Sequence, residues 1–282
     1  LHFHTYLLTI LMLRIALPNS ILLFLFKISS ANSLAALSDA VKADDGNGTY
    51  NLKGITFHLA NDIELTGTWT PISNVTYPGD AFAGTFDGNG HTISGLTGSN
   101  GLFVFVNGAT IQNLKVIGTI SGTSVNVGGI VSKTQGSVTI ENCAFEGSIS
   151  SSSTSSSAGI GGIVGKVNSG TLAVTNCYSS AEITGTNAGG ILGYVTAKGT
   201  RIQNCYSTSK ISGTNIGGMV GKMTNSNSSV SDCCWTQPEN GNGFGSGKIT
   251  GSKKVTSSDE ALAILGSAFV KDKNGNVAGR VK

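Results

Sequence analysis

An all-β fold, a parallel β-helix or β-solenoid, is predicted by two sequence ladders that hold one period. The first runs through Ile111-Gln112-Asn113-Leu114, Ile140-Glu141-Asn142-Cys143, Val174-Thr175-Asn176-Cys177, Ile202-Gln203-Asn204-Cys205 and Val230-Ser231-Asp232-Cys233. Its Asn/Asp positions are spaced by 29, 34, 28 and 28 residues. The second runs through Gly128-Gly129-Ile130, Gly161-Gly162-Ile163, Gly189-Gly190-Ile191 and Gly217-Gly218-Met219, at spacings of 33, 28 and 28. Periods of about 20–50 residues mark stacked units. A solenoid needs no globular core, because each unit packs only on its neighbours.

Composition narrows the class. The chain has 282 residues, 40 glycines, 4 prolines and only 12% charged residues, roughly half the usual charged share. That suits a secreted β-rich protein, and the regular spacing of Ile, Val and Leu argues against disorder. The net charge of +3 falls to +1 once Arg14 and Lys27 of the apolar N-terminus are set aside. No basic stripe interleaved with aromatics is visible along the chain, so nucleic acid is not an expected partner.

Residues 1–33 read as an apolar leader. Tyr6 to Leu17 and Ile21 to Phe26 are apolar, split by Pro18-Asn19-Ser20, and small residues follow at Ser29 to Ser33. A removable signal peptide cut after Ala31 or Ser33 is expected. The rival is a membrane anchor, but each run is shorter than the roughly 20 residues a span needs. The first residue is Leu1, consistent with a fragment or an extended start; Met12 would give a more ordinary leader.

Residues 34–100 read as an N-terminal helix and entry coils. Residues 34–43 favour helix, with Leu34, Leu37 and Val41 on one face and Asn32 or Ser33 as the cap. Asp44 to Gly48 reads as a turn. Strand-like runs follow at Gly54–Leu59 and Ile63–Leu65, and Phe82 to Ile93 reads as strand, tight turn, strand. Asp87-Gly88-Asn89-Gly90 supplies the positive φ values cheaply.

Residues 101–236 hold the regular units. Each has an apolar-x-Asn-Cys/Leu strand, a second short strand such as Gly118–Ile120 or Lys210-Ile211, and a Gly-Gly-Ile-Val-Gly strand. The Asn is expected at a bend, where it tolerates left-handed φ and can stack on its counterpart one coil away. The paired glycines (Gly128, Gly161, Gly189, Gly217 and their neighbours) would admit a close backbone approach or a bulge. The 34-residue spacing fits a serine-rich loop, Ser150–Ser157, extruded to the surface. Residues 237–282 begin with a glycine-rich connection, Gly241 to Gly251. A helix follows, with Ser257 and Glu260 as a capping box and Gly266 as its stop; residues 267–282 read as a loose tail. A helix at each end would cover the open ends of a solenoid.

Four of the five cysteines, Cys143, Cys177, Cys205 and Cys233, share one repeat position with Leu114, which suggests a buried small apolar site. Equivalent positions on stacked coils lie about 4.8 Å apart, within disulfide reach, so bridges remain open, but free, buried thiols are the favoured reading. CxxC spacing is missing and no histidine follows His91, so no metal site is expected.

The units resemble GLUG repeats. The resemblance rests on VGGIV at 127–131, IGGIVG at 160–165, AGGILG at 188–193 and IGGMVG at 216–221, with the Ile-x-Asn-Cys-Tyr strand beside them. The first unit departs, with Ser132 where later units have Gly165, Gly193 and Gly221. The entry region is also similar, through Asn61–Leu65, Trp69–Ile72, Phe86–Ile93 and Gly101–Phe103. The resemblance implies a bacterial extracellular protein with a right-handed, pectin-lyase-like β-helix. Similar repeats accompany immunoglobulin A-cleaving metalloproteases and surface adhesins, and the repeats carry no catalytic residues of their own.

Little else in the chain carries chemistry. Lyases and hydrolases on this scaffold need clustered carboxylates, but Glu141, Glu146 and Glu182 are the only acids between Thr110 and Ser231. The H-E-x-x-H motif is absent. Asp62, Glu64, Asp80 and Asp87 form the densest acidic group, and Asp87–Gly90 fits a turn better than a calcium loop. His58 and His91 read as strand residues. Trp69 and Trp235 fit core or end positions, or sugar stacking. Tyr178 and Tyr206, with Phe145 nearby, read as an aromatic core ladder or an exposed stripe. The expected function is a secreted or cell-surface, non-catalytic repeat protein, adhesin-like or structural, with no cofactor. Its partners would be host or environmental glycans or surface proteins, and no mature segment would span a membrane. The alternatives are a polysaccharide-active lyase or hydrolase, or a fragment of a larger surface protein or protease.

Overall fold

A computed structural model describes residues 11–15, 23–42, 52–73, 81–225, 227–237 and 248–279. The expected turn at 44–48, Asp80 and most of the glycine-rich connection lie outside the described residues.

The repeats coil into parallel sheets. Sheet 1 contains the strands before the Asn corners: Thr85–Asp87, Thr110–Gln112, Ser137–Glu141, Thr171–Thr175, Arg201–Gln203 and Ser229–Ser231. Sheet 2 follows the corners, with Thr92–Gly98, Lys115–Gly122, Ala144–Ser151, Tyr178–Thr186, Tyr206–Ser207 and Cys234–Trp235. Sheet 3 contains Phe103–Asn107, Val131–Gln135, Val164–Val167, Leu192–Val195 and Val220–Met223. A small fourth sheet joins Asn126–Gly128, Gly159–Gly161 and Ala188–Gly189.

Register explains the core. Phe57, Phe86, Ile111, Ile140, Val174, Ile202 and Val230 are successive partners in sheet 1, and all are buried. Phe103, Val131, Val164, Leu192 and Val220 do the same in sheet 3. Parallel strands alternate their side chains, so one column of each sheet points inward at every coil. Each such aliphatic burial contributes roughly 1.5–3 kcal/mol.

The glycine pairs do not lie within one strand. Gly128 and Gly161 end the short strands of the fourth sheet, while the sheet 3 strands start at Val131 and Val164. The second glycine of each pair therefore sits at a corner, pressed onto a sheet 2 side chain. A Cβ on Gly129 would lie 2.2 Å from the Phe145 ring, and one on Gly218 would lie 2.1 Å from the Trp235 ring. At Gly162 and Gly190 the obstacle is the hydroxyl of Ser179 or Ser207, together with a neighbouring glycine carbonyl. Phe145, Ser179, Ser207 and Trp235 are register partners, so one column of side chains accounts for one column of glycines.

Helix α1, Ala31–Lys42, starts three residues before the expected Leu34 and buries Leu34, Leu37 and Val41. Its cap is Ser30, not Asn32 or Ser33. Ser33 N donates to Ser30 Oγ at 3.2 Å and Ser30 N donates back to Ser33 Oγ at 3.0 Å, a reciprocal cap. Just before it, Leu25–Ile28 pair in parallel with Thr56–Leu59, and the Phe26 and Phe57 rings lie 5.3 Å apart. The expected cut sites thus fall inside the first turn of α1.

Helix α2, Ser258–Leu265, is capped by Ser257, which accepts from Glu260 N at 3.2 Å, and it stops at Gly266. The stretch expected to be a loose tail is instead an antiparallel hairpin, Phe269–Lys271 with Val277–Gly279. Phe269 and Val277 pack with Val255, Ala261 and Leu265 over Ala144, Tyr178, Tyr206 and Cys234. Those four belong to four successive coils, so the C-terminal segment lies along the flank of sheet 2.

Replacing Gly129 with alanine should destabilise the fold by about 1–3 kcal/mol, because the neighbouring ring and carbonyl leave no room for the methyl group. Urea unfolding monitored by circular dichroism measures this. A wild-type midpoint for Gly129→Ala would contradict the packing described here.

Candidate functional site

The Asn corners form a hydrogen-bonded column with a direction. Asn113, Asn142, Asn176, Asn204 and Asp232 all have left-handed backbone, φ 51° to 55°, which Asn and Asp adopt more readily than other non-glycine residues. Asn204 Nδ2 donates to Asn176 Oδ1 at 2.6 Å, Asn176 to Asn142 at 3.2 Å, and Asn142 to Asn113 at 3.0 Å. Asn113 then donates to Asp87 Oδ1 at 3.0 Å. Every amide points its hydrogens toward the N-terminal end, where a carboxylate takes the last of them. Asp232, at the other end, has no hydrogen to pass on when ionised.

Asp87 is a hub. Gln112 Nε2 donates to its Oδ2 at 2.9 Å, Asn89 N to its Oδ1 at 2.8 Å, and His58 Nδ1 lies 3.6 Å from Oδ2. Burial pushes its carboxyl up, but these donors and His58 together hold it below the usual range. Asp62 is similarly held down, first by the Thr92 backbone N–H and also by His91, whose Nδ1 is 3.2 Å away. Both histidines are thus spoken for by aspartates. No three His, Cys, Asp or Glu side chains gather into a metal-binding group among the described residues.

The cysteine column lies directly inside the corners. Cys143, Cys177, Cys205, Cys233 and the adjacent Cys234 are buried and unbridged. Cys177 N lies 3.4 Å from Cys205 Sγ, and Cys205 N lies 3.3 Å from Cys233 Sγ. Burial pushes the Cys234 thiol up to about 12. The Tyr178 and Tyr206 rings stack at 5.7 Å on the outward side of sheet 2, under the C-terminal hairpin. They are neither an exposed stripe nor part of the central core.

Sheet 3 presents something the linear reading missed. Phe105, Lys133, Lys166, Tyr194 and Lys222 are successive register partners. Lys133 Nζ lies 4.9 Å from the Phe105 ring centre; Lys166 and Lys222 lie 5.2 and 5.0 Å from that of Tyr194. This is a basic stripe interleaved with aromatics, contrary to expectation. It runs across the coils, so its members are 28 or more residues apart in sequence. The signal was present nonetheless, since four of the five follow the motif at the same offset: GGIVS-Lys133, GGIVG-Lys166, GGILG-Tyr194 and GGMVG-Lys222. The serine-rich loop leans on the stripe. Lys166 Nζ donates to Ser157 O at 3.3 Å and Lys222 Nζ to Ser156 O at 3.4 Å. None of the three ammonium groups has a carboxylate partner among the described residues. Burial and then repulsion from Lys133 push the Lys166 amine down.

At the N-terminal end of the stripe a concavity of about 220 Å³ is lined by residues including Asn100, Ser124, Val125, Asn126, Phe105 and Lys133. Asn126 Oδ1 itself is buried, with no hydrogen-bond partner among the described residues. A second amide pair, also missed, holds the opposite rim of the loop. Asn215 donates to Asn187 at 2.9 Å, and Asn187 donates to Ser156 O at 3.1 Å.

The comparisons agree with this geometry. Residues 184–212, one full unit carrying AGGILG and Ile-Gln-Asn-Cys, match the family model described as the GLUG motif, which supports the GLUG-repeat assignment. The chain is similar to a solved structure from Bacteroides ovatus described as a "putative immunoglobulin A1 protease". The TM-score is 0.66 and the identity 15%, over 92% of this chain and 93% of that one. It is also similar to a structure named IgA1 Protease, with a TM-score of 0.51 and 16% identity over 86% of this chain. There it spans only 24% of the other chain. At such identities these likenesses concern fold alone. No curated protein matches.

Three tests follow from the corners and the cysteine column inside them. Asn142→Ala removes a donor and an acceptor from the middle of the column and places a Cβ-bearing residue without a polar side chain in left-handed backbone. It should lower stability by about 1–3 kcal/mol, and Asn142→Gly by less, because glycine tolerates that φ; chemical denaturation ranks the two. Asp87, with its folded pKa depressed, contributes stability that is present above its unfolded pKa of about 3.9 and lost as pH falls through the folded value. Asp87→Asn should therefore reduce the acid-side loss of stability in a pH series of thermal melts. The buried thiols should ignore a thiol-reactive dye in the native chain at pH 8, and all five should react in denaturant.

Proposed function

We propose that this chain is an exported, surface-exposed β-solenoid that works by contact rather than by turnover, as an adhesin-like or structural binding module. On this reading the coil is right-handed and pectin-lyase-like in outline, and α1 closes its N-terminal end. The observation that carries the proposal is the repetition of the same outward side chains at about 4.8 Å intervals along the stack. Hydroxyl pairs recur across coils, Ser121 with Ser150 at 3.0 Å and Thr184 with Ser212 at 2.9 Å, as do the basic and aromatic side chains of sheet 3. Such faces suit extended ligands held by many weak contacts. The carboxylates of the repeats support the same reading. Glu146 pairs with Lys115 at 2.9 Å and Glu182 with Lys210 at 3.5 Å, whereas acid/base work on sugars needs two carboxyls facing one another across roughly 5–10 Å of open cleft.

Arrays of glycans and host surface proteins probed with the full chain, followed by product analysis on every hit, provide the test. Saturable binding without new reducing or unsaturated ends is the expected result. Steady release of such ends from any glycan would replace this reading with the lyase or hydrolase alternative.

A further inference from the structure

We propose that the sheet 3 column of Phe105, Lys133, Lys166, Tyr194 and Lys222 is a binding track for an acidic polysaccharide laid along the solenoid axis. The inference deepens the contact reading above and rests on it. Three observations on this face converge. Three ammonium groups are aligned in register with no carboxylate partner among the described residues. They are held in place by ring faces and by the carbonyls of Ser156 and Ser157 rather than left to wander on flexible stems, so little ordering is lost on binding. Beside the first of them, the concavity is lined by the amide and hydroxyl side chains of Asn100, Ser124, Asn126 and Ser132, groups suited to a hydroxyl-rich ligand.

The track favours a sugar chain over the other linear polyanions. Lys133 and Lys166 occupy adjacent coils, so their anchoring points are about 4.8 Å apart along the axis. An extended acidic peptide places like-facing side chains about 6.6 Å apart, out of step with the coils. Single-stranded nucleic acid takes much of its affinity from bases stacked on open aromatic faces. Here the Tyr194 ring already has an ammonium group from the coil on either side, and Phe105 is buried beneath Lys133. The Lys166 amine is pushed down first by burial and then by repulsion from Lys133; an anion between the two would relieve that repulsion.

The test is titration calorimetry of the full chain with four probes: alginate oligosaccharides, heparin oligosaccharides, polyglutamate and single-stranded DNA, with dextran as the neutral control. Alginate and heparin separate carboxylate from sulfate as the recognised anion. Binding of at least one of these sugars is expected, weakening with salt. The variant K133Q/K166Q/K222Q keeps a donor for the loop carbonyls but removes the charge. It should weaken binding at least about tenfold and flatten the salt dependence by roughly two to three counterions, while the matching lysine-to-arginine variant binds nearly as the parent does. If the triple variant does not fold, K133Q alone decides, through the same salt slope. Parental binding by the glutamine variants, or tighter binding of polyglutamate or DNA, would overturn the track. Neutral-glycan binding unaffected by the variants would overturn it too, yet leave the contact reading standing. Release of new ends from alginate by the parent but not by the glutamine variant would support the track and overturn the contact reading instead.

Discussion

One constraint organises this molecule: each coil must close in step with the coil beside it, and the asparagine corners enforce that step. A residue in left-handed backbone turns the chain from sheet 1 to sheet 2, and its amide bonds the same amide one coil away. A slip of one residue would reverse the inward and outward faces of a strand. It would also leave a corner amide without its counterpart. The inward columns of Ile, Val, Leu and Phe then follow, as does the second glycine of each pair, which must yield space to the sheet 2 side chain opposite.

The coil's outer faces are put to different uses. Sheet 2 carries Tyr178 and Tyr206, whose outward rings would be sizeable apolar surface in water. The C-terminal helix and hairpin lie on them and bury them. Among the described residues no helix or hairpin covers sheet 3 in this way, and its outward column mixes charge with rings that hold the charges in position. The serine-rich insertion borders that column and is itself pinned. Ser153, Ser155 and Ser157 N–H groups donate to the hydroxyls two residues earlier, and Asn187 ties the loop to the next coil.

Much of this architecture was legible in the chain because a solenoid writes its contacts as a period. The corner asparagines, the cysteine column and the helix around Ser257 and Gly266 each have a local signature that needs no tertiary information. Other features had none. The hairpin at 269–279 is a short, ordinary stretch whose order comes from Phe269 and Val277 meeting Tyr206 and its neighbours. Ser30 caps α1 because the preceding strand delivers the chain there, which helix-forming tendency alone does not reveal. The lysine stripe is the instructive case. Its lysines and Tyr194 were in plain view at one offset from the glycine motif, but a stripe sought along the chain cannot be found when it runs at right angles to it.

The direction of the amide column bears on how such a protein can change its length. A duplicated unit placed between Asn113 and Asn204 would bring its own corner asparagine, accept one bond, donate one, and leave both termini untouched. A unit added beyond Asp232 could donate its corner amide to that side chain, but Asp232 has no amide hydrogen to hand on to Asn204, so the new coil would stand outside the continuous column. Growth by whole coils from within keeps every amide in one column, and the two aspartates act as punctuation at its ends.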